Sequence, residues 1–131
     1  KVAVAAVKEG ADAVAAINTV RAMAIDVETA RPILGHRVGG LSGGAIRPIA
    51  IRCVYELYEA VDVPIIGCGG VSSWRDAVEF LLAGASAVEI GTAVASKGLG
   101  VFRSVYNGVD AFLRKRGARS LKEIVGLSHR Q

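Results

Sequence analysis

The sequence predicts an α/β fold: the C-terminal part of a (β/α)8 TIM barrel, with parallel strands and its N-terminal strands missing. Three observations carry that expectation. Val63–Val71 (V-P-I-I-G-C-G-G-V) and Ala87–Ala93 (A-V-E-I-G-T-A) are short β-branched runs that end in glycine, with a helical stretch between them. Such runs suit strands buried on both faces and are too short for stable helices. Glycines at strand exits let the backbone turn sharply and present N–H groups to an anion. Two successive units of this kind match the phosphate-gripping corner made by the loops after the last two barrel strands. Finally, a helix leads through Gly-Ala into a strand twice, as G-A-D-A-V at Gly10–Val14 and G-A-S-A-V at Gly84–Val88. An internal β/α repeat accounts for that pattern.

In chain order, Lys1–Glu9 reads as the last turns of a helix, with Val2, Ala5 and Ala6 on one face and Gly10 as its stop. Ala13–Ile17 is a strand whose exit, Asn18-Thr19, is polar. Val20–Gly40 is long for a βα loop, which normally runs about two to six residues. Its alternation around Asp26, Glu28-Thr29, Arg31-Pro32 and Ile33-Leu34 predicts a small hairpin or ordered flap, placed as a lid or a subunit contact. Gly39-Gly40-Leu41-Ser42-Gly43-Gly44 opens directly onto a helix over Ala45–Ala60, with Pro48 in its first turn. A glycine-rich loop feeding a helix start favours anions, although many such loops are only tight turns.

Val63–Gly70 is the next strand and its exit. Ser72 or Ser73 caps a helix that runs to about Leu82, and Asp76 suits the positive end of its dipole. Trp74 packs at that helix start. Val88–Gly91 is a strand, Thr92–Ala95 a short segment, and Lys97–Gly100 the turn that breaks it. An amphipathic helix from Val101 to about Arg116 turns Val105, Val109, Phe112 and Leu113 inward. Leu121–Val125 is a last short helix, and Ser128–Gln131, with His129, a polar tail. Helices alternating with strands imply a parallel sheet, and three strands cannot close a barrel.

Composition narrows the classes. The chain has 131 residues, enough for a single domain fragment spanning 1–131 but about half of a roughly 250-residue barrel. Apolar residues make up 52% and charged ones 21%, which excludes a disordered chain. No apolar run approaches the roughly 18 residues that cross a bilayer, so no membrane role is expected. Lys1-Val2-Ala3-Val4 lacks an initiator methionine and a signal-peptide pattern, and reads as an interior point of a longer chain. Cys53 and Cys68 lack metal-ligand spacing and read as buried thiols of a cytoplasmic protein, with no metal. The net charge is +4. Its one dense basic cluster, Arg114-Lys115-Arg116 with Arg119, falls where a helix ends before Gly117. There cations complement the dipole, so no nucleic-acid partner is expected.

Ile17-Asn18-Thr19, the Asp26 region, G-G-L-S-G-G-A-I-R-P at Gly39–Pro48, P-I-I-G-C-G-G at Pro64–Gly70 and A-G-A-S-A-V-E-I-G-T at Ala83–Thr92 together resemble dihydroorotate dehydrogenase. The likeness is to the class 1 enzymes, and among them to the 1B subtype that works with an iron–sulfur flavoprotein. It runs over nearly the whole chain with the motifs in order. The resemblance implies an FMN barrel enzyme that oxidises dihydroorotate to orotate in pyrimidine synthesis. On that pattern Gly43, Gly69, Gly70, Gly91 and Thr92 hold the FMN phosphate and ribityl region, mainly by backbone N–H, and Ile17 lies beside the flavin ring. Asn18 and Thr19 meet the substrate, since a carboxamide complements a lactam edge. The resemblance also implies a homodimer and an iron–sulfur/FAD partner subunit passing electrons to NAD; fumarate or a quinone serves other classes.

The family's catalytic base is a cysteine on a loop of the earlier barrel half, as is a lysine that reaches flavin and substrate. Cys53, Cys68 and Lys1 do not match those positions, so no catalytic residue is assigned in this chain and the base is expected upstream. By themselves Asn18-Thr19 fit a turn as well as a ligand contact, and Gly69-Gly70 and Gly91-Thr92 fit many phosphate ligands. Cys68 reads as a packed thiol, His36 as a surface histidine of the flap, and Glu89 as a strand residue with a partner inside the barrel. Two rival functions remain at this level. One is a related FMN barrel oxidoreductase acting on another pyrimidine, of the dihydropyrimidine dehydrogenase or dihydrouridine synthase type. The other is a non-catalytic half-barrel that binds phosphorylated ligands.

Overall fold

The computed structural model describes residues 1–130, and Gln131, the end of the expected tail, lies outside them. Helix α1 (Val2–Lys8) leads into strand β1 (Val14–Ala16). Strands β6 (Ile65–Cys68) and β7 (Ala87–Glu89) complete a parallel sheet of order β1-β6-β7. Ala16 lies opposite Gly67, and Cys68 opposite Glu89. The register puts all three strand exits at one end, where parallel sheets leave room for ligands. This is the α/β arrangement of parallel strands that the β-branched runs predict.

Between β1 and β6 the long loop folds as two nested antiparallel ladders. Strand β2 (Val20–Ala22) pairs with β5 (Gly39–Leu41), and inside them β3 (Ile25–Asp26) pairs with β4 (Arg31–Pro32). Asp26 closes the inner turn by accepting from the Thr29 N–H at 2.8 Å and the Thr29 hydroxyl at 2.9 Å. Those two bonds hold its carboxyl below the ordinary aspartate range. The flap is thus a doubled hairpin with Met23, Ile25, Val27 and Ile33 exposed.

The glycine-rich loop passes through a 3₁₀ turn, Gly44–Ile46, before helix α2 (Arg47–Ala60) begins. The helix starts two residues later than expected, with Pro48 still in its first turn, where a missing N–H costs nothing. Helix α3 (Trp74–Ala83) is capped by Ser73 in a capping box with Asp76 and ends on left-handed Gly84. Helices α4 (Ala93–Lys97) and α5 (Gly100–Arg116) follow β7. Lys97 is therefore the last helical residue, and Gly98, at φ 64°, makes the turn expected to begin at Lys97. Arg114, Lys115 and Arg116 occupy the last turn of α5 before Gly117, as the dipole argument anticipates.

The core lies where α2, α3 and α5 cover the sheet. Ala50, Val54, Ile65, Ala77, Phe80, Val101 and Val105 form one buried cluster. Gly67 is part of the reason it closes: a Cβ there would stand 2.5 Å from Phe80 Cδ1, so Phe80 fills the space over β6. Trp74 packs at the start of α3 as expected, its ring 6.1 Å from Phe112. Among the described residues no helix is long and apolar enough to cross a membrane.

The C-terminal segment departs from expectation. In place of one short helix and a tail there are two 3₁₀ turns, Leu121–Glu123 and Leu127–His129. The Gly126 N–H donates to the Leu81 carbonyl at 3.0 Å and the Ser128 hydroxyl to the Leu82 carbonyl at 2.7 Å. His129 stacks on Tyr55 with ring centroids 3.7 Å apart, and its Nε2 meets the Ala83 carbonyl at 3.0 Å. Tyr58 lies tilted against His129, where a Cβ on Gly84 or Gly126 would collide with its ring. The segment is fastened because the last carbonyls of α3 find their donors there. Both cysteines are free and half-buried, not fully buried as expected.

Candidate functional site

A cavity of about 430 Å3 opens at the exits of β1, β6 and β7. The eight residues singled out in the sequence all line it. Ile17, Asn18 and Thr19 follow β1, Gly69 and Gly70 follow β6, and Gly91 and Thr92 follow β7; Gly43 ends the glycine-rich loop. Residues separated by up to seventy-odd positions meet because parallel strands deliver every exit to the same rim.

Close backbone approach explains two of the glycines. Gly70 has φ +80°, and a Cβ on it would stand 2.6 Å from the Gly43 carbonyl oxygen. Gly69 has φ +136°, and its Cβ would meet Ala50 Cβ at 2.7 Å. Gly91 differs, since a Cβ there meets nothing within 4 Å. Among the described residues the N–H groups of Gly69, Gly70, Gly91 and Thr92 donate to no protein acceptor. Several unpaired N–H donors around one concavity suit a phosphate, which carries strong acceptor oxygens on every side. The Thr92 hydroxyl donates to Ser42 Oγ at 2.9 Å, tying the glycine-rich loop to the β7 exit.

The loop after β6 is held from below by one carboxylate. Asp76 is only 6% exposed. It accepts from the Ser72 N–H at 2.9 Å, the Ser72 hydroxyl at 3.0 Å and the Ser73 N–H at 2.8 Å, and it pairs with Arg47. Burial pushes its carboxyl upward, but the Ser72 and Ser73 bonds and the Arg47 guanidinium outweigh burial, and the net displacement is downward. Asp76 stays ionised and holds Ser72 and Ser73 in place.

On the opposite side, Asn18 Oδ1 accepts the Thr19 N–H at 2.7 Å. That bond, with a second from the Thr19 hydroxyl at 3.4 Å, orients the amide and leaves Nδ2 for a ligand. Thr19 is hemmed in by Gly40 of β5, where a Cβ would overlap its side chain. The flap therefore packs directly on this polar strand exit.

The cavity also takes in Ser42, Ser96, Lys97, Cys68 and Glu89, none of which the motif reading assigned to the site. Cys68 and Glu89 are cross-strand neighbours, which supplies the partner expected for Glu89. Burial, followed by the Glu89 carboxylate, pushes the Cys68 thiol above its ordinary value. A thiol raised in this way is protonated at neutral pH and is no nucleophile. Its place in P-I-I-G-C-G-G marked it as a strand-end thiol, but nothing local set it beside Glu89. Lys97 carried no signal, because it looked like part of a turn. His36 stays exposed on the flap and Cys53 lies within α2, both outside the cavity lining. Among the described residues no cluster of His, Cys, Asp and Glu could hold a metal ion.

Comparison with known proteins gives a consistent result. The family described as Dihydroorotate dehydrogenase matches residues 1–113. A protein of Methanocella arvoryzae, called Dihydroorotate dehydrogenase B (NAD(+)), catalytic subunit, is 57% identical over 98% of this chain and 42% of its own length. One of Pyrococcus horikoshii with the same name is 55% identical over 98% of this chain and 42% of its own length. The chain thus spans about two fifths of these relatives. Among solved structures, DHODH from Eimeria tenella in complex with ferulenol aligns with a TM-score of 0.78 at 32% identity. That alignment covers 96% of this chain and 33% of the other.

Proposed function

The chain belongs to the dihydroorotate dehydrogenase family, and on that premise we propose that it supplies the FMN phosphate site and part of the substrate site of a dihydroorotate dehydrogenase. The reaction is oxidation of dihydroorotate to orotate in pyrimidine biosynthesis. One observation carries the reading: four residues whose N–H groups have no protein acceptor, Gly69, Gly70, Gly91 and Thr92, line the same cavity as Asn18 with its oriented amide. The donor set fits FMN, whose terminal phosphate needs N–H and hydroxyl donors in number. Gly43, at φ +85°, gives the loop a backbone turn that suits glycine, and Ile17 offers an apolar side chain to the flavin ring. Asn18 Nδ2 donates to the lactam edge of the substrate, with Thr19 beside it. FMN, when bound, supplies the hydride acceptor. Neither cysteine is offered as the proton acceptor, since the Cys68 thiol is pushed above its ordinary value and Cys53 does not line the cavity.

The reading extends to partners and setting. Residues 1–131 act as one portion of the FMN-binding barrel domain. The relatives' name, a catalytic subunit with NAD(+), supports a separate iron–sulfur/FAD electron-transfer subunit and NAD as final acceptor. A homodimer and a cytoplasmic location complete the proposal, the latter supported by two free thiols.

The test uses the full-length protein loaded with FMN. Orotate should perturb the flavin absorbance on binding, and Asn18→Ala should raise the orotate Kd by about tenfold or more without changing FMN affinity. Binding of uracil in preference to orotate would overturn the substrate assignment in favour of another pyrimidine.

A further inference from the structure

Lys97 is the one cationic residue lining the cavity among the described residues. It closes α4, beside the exits of β6 and β7, and its Nζ donates to the Ser72 carbonyl oxygen at 2.8 Å. That oxygen belongs to the segment that Asp76 fixes through the Ser72 and Ser73 N–H groups. The ammonium is thus anchored to a rigid loop by one N–H and keeps two donors free. Among the described residues it makes no ion pair, although Asp76, Glu79 and Asp110 each pair with an arginine. A lysine that is tethered but not neutralised leaves a whole positive charge in the lining of a cavity whose glycine N–H groups have no protein acceptor. Backbone N–H groups carry only partial charges, so a dianion held by them alone keeps most of its charge uncompensated.

We propose that Lys97 is a phosphate-binding residue of this site, the charged partner that makes it prefer a phosphorylated flavin to the unphosphorylated one. The inference rests on the reading of the cavity as an FMN site. It adds a residue outside the glycine motifs and assigns it the selectivity, while the glycine N–H groups supply the shape. The tether to Ser72 lowers the cost of using a flexible side chain, because the ammonium is already confined near the loop before the ligand arrives.

The test measures affinity and does not depend on turnover. Full-length protein stripped of flavin is titrated with FMN and with riboflavin, following quenching of flavin fluorescence. Lys97→Gln keeps a donor for the Ser72 carbonyl and removes the charge. It should weaken FMN by about tenfold, leave riboflavin unchanged and so shrink the preference between them. Lys97→Arg should retain most of that preference. In the unmodified protein, raising the ionic strength should weaken FMN but not riboflavin. An FMN-to-riboflavin ratio unchanged in Lys97→Gln overturns the inference, as does an equal loss for both ligands, which would make Lys97 a support for the loop. If the unmodified protein itself does not prefer FMN to riboflavin, the FMN reading fails, and the inference with it.

Discussion

Asp76 shows how one side chain can serve fold and site together. It caps α3, anchors the loop that lines the cavity and neutralises Arg47. Since its folded carboxyl titrates below its unfolded value of about 3.9, it contributes stability at all pH above that value and loses it as pH falls through the folded one. Asp76→Asn should cost about 3 kcal/mol at neutral pH, because an amide offers one acceptor oxygen where three donors and a guanidinium converge. Urea midpoints should show the full-length protein losing stability below about pH 4, while the variant stays flat there. A variant with the same acid sensitivity would assign the effect to other carboxylates. The Ser73–Asp76 cap was legible as S-W-R-D ahead of an apolar run, whereas the Arg47 pairing was not, since nothing local links residues twenty-nine apart.

At the level of elements, the flap and the glycine loop behave as one piece. Gly40 on β5 backs directly onto Thr19 at the exit of β1. Gly40→Ala should displace Thr19 at a cost of about 1–3 kcal/mol, raising the Kd for orotate while leaving FMN affinity in place. Equal losses for both ligands would mean that the loop, and not Thr19, had moved. Strands were the most legible elements, since β-branched runs ending in glycine have few other uses. The flap was legible only as an alternating stretch, because its nested pairing depends on two short ladders meeting across a long loop. Lys97 escaped notice because a helix of five residues leaves no periodic trace. His129 escaped because its rings of contact, Tyr55 and Tyr58, lie on α2.

For the molecule as a whole, the parallel sheet has β1 and β7 at its margins, and among the described residues neither pairs on its outer side. Open strand edges recruit other strands. Residues 1–131 produced alone should self-associate in sedimentation runs and show no dihydroorotate oxidation. Measurable turnover by that polypeptide would mean that a proton acceptor lies among these residues after all.

Tyr58 belongs to α2, Gly84 ends α3 and Gly126 precedes the final 3₁₀ turn, and the one ring presses on both glycines. The three positions therefore cannot drift independently. Gly126→Ala should be markedly more harmful with Tyr58 present than in a Tyr58→Ala background, where only the left-handed backbone at φ +69° still penalises it. A thermodynamic cycle from urea unfolding of the four proteins reads that difference directly. Inheritance follows the same logic: a lineage that trims the tyrosine first frees both glycines to vary, while one that changes a glycine first pays a stability penalty until the ring is gone.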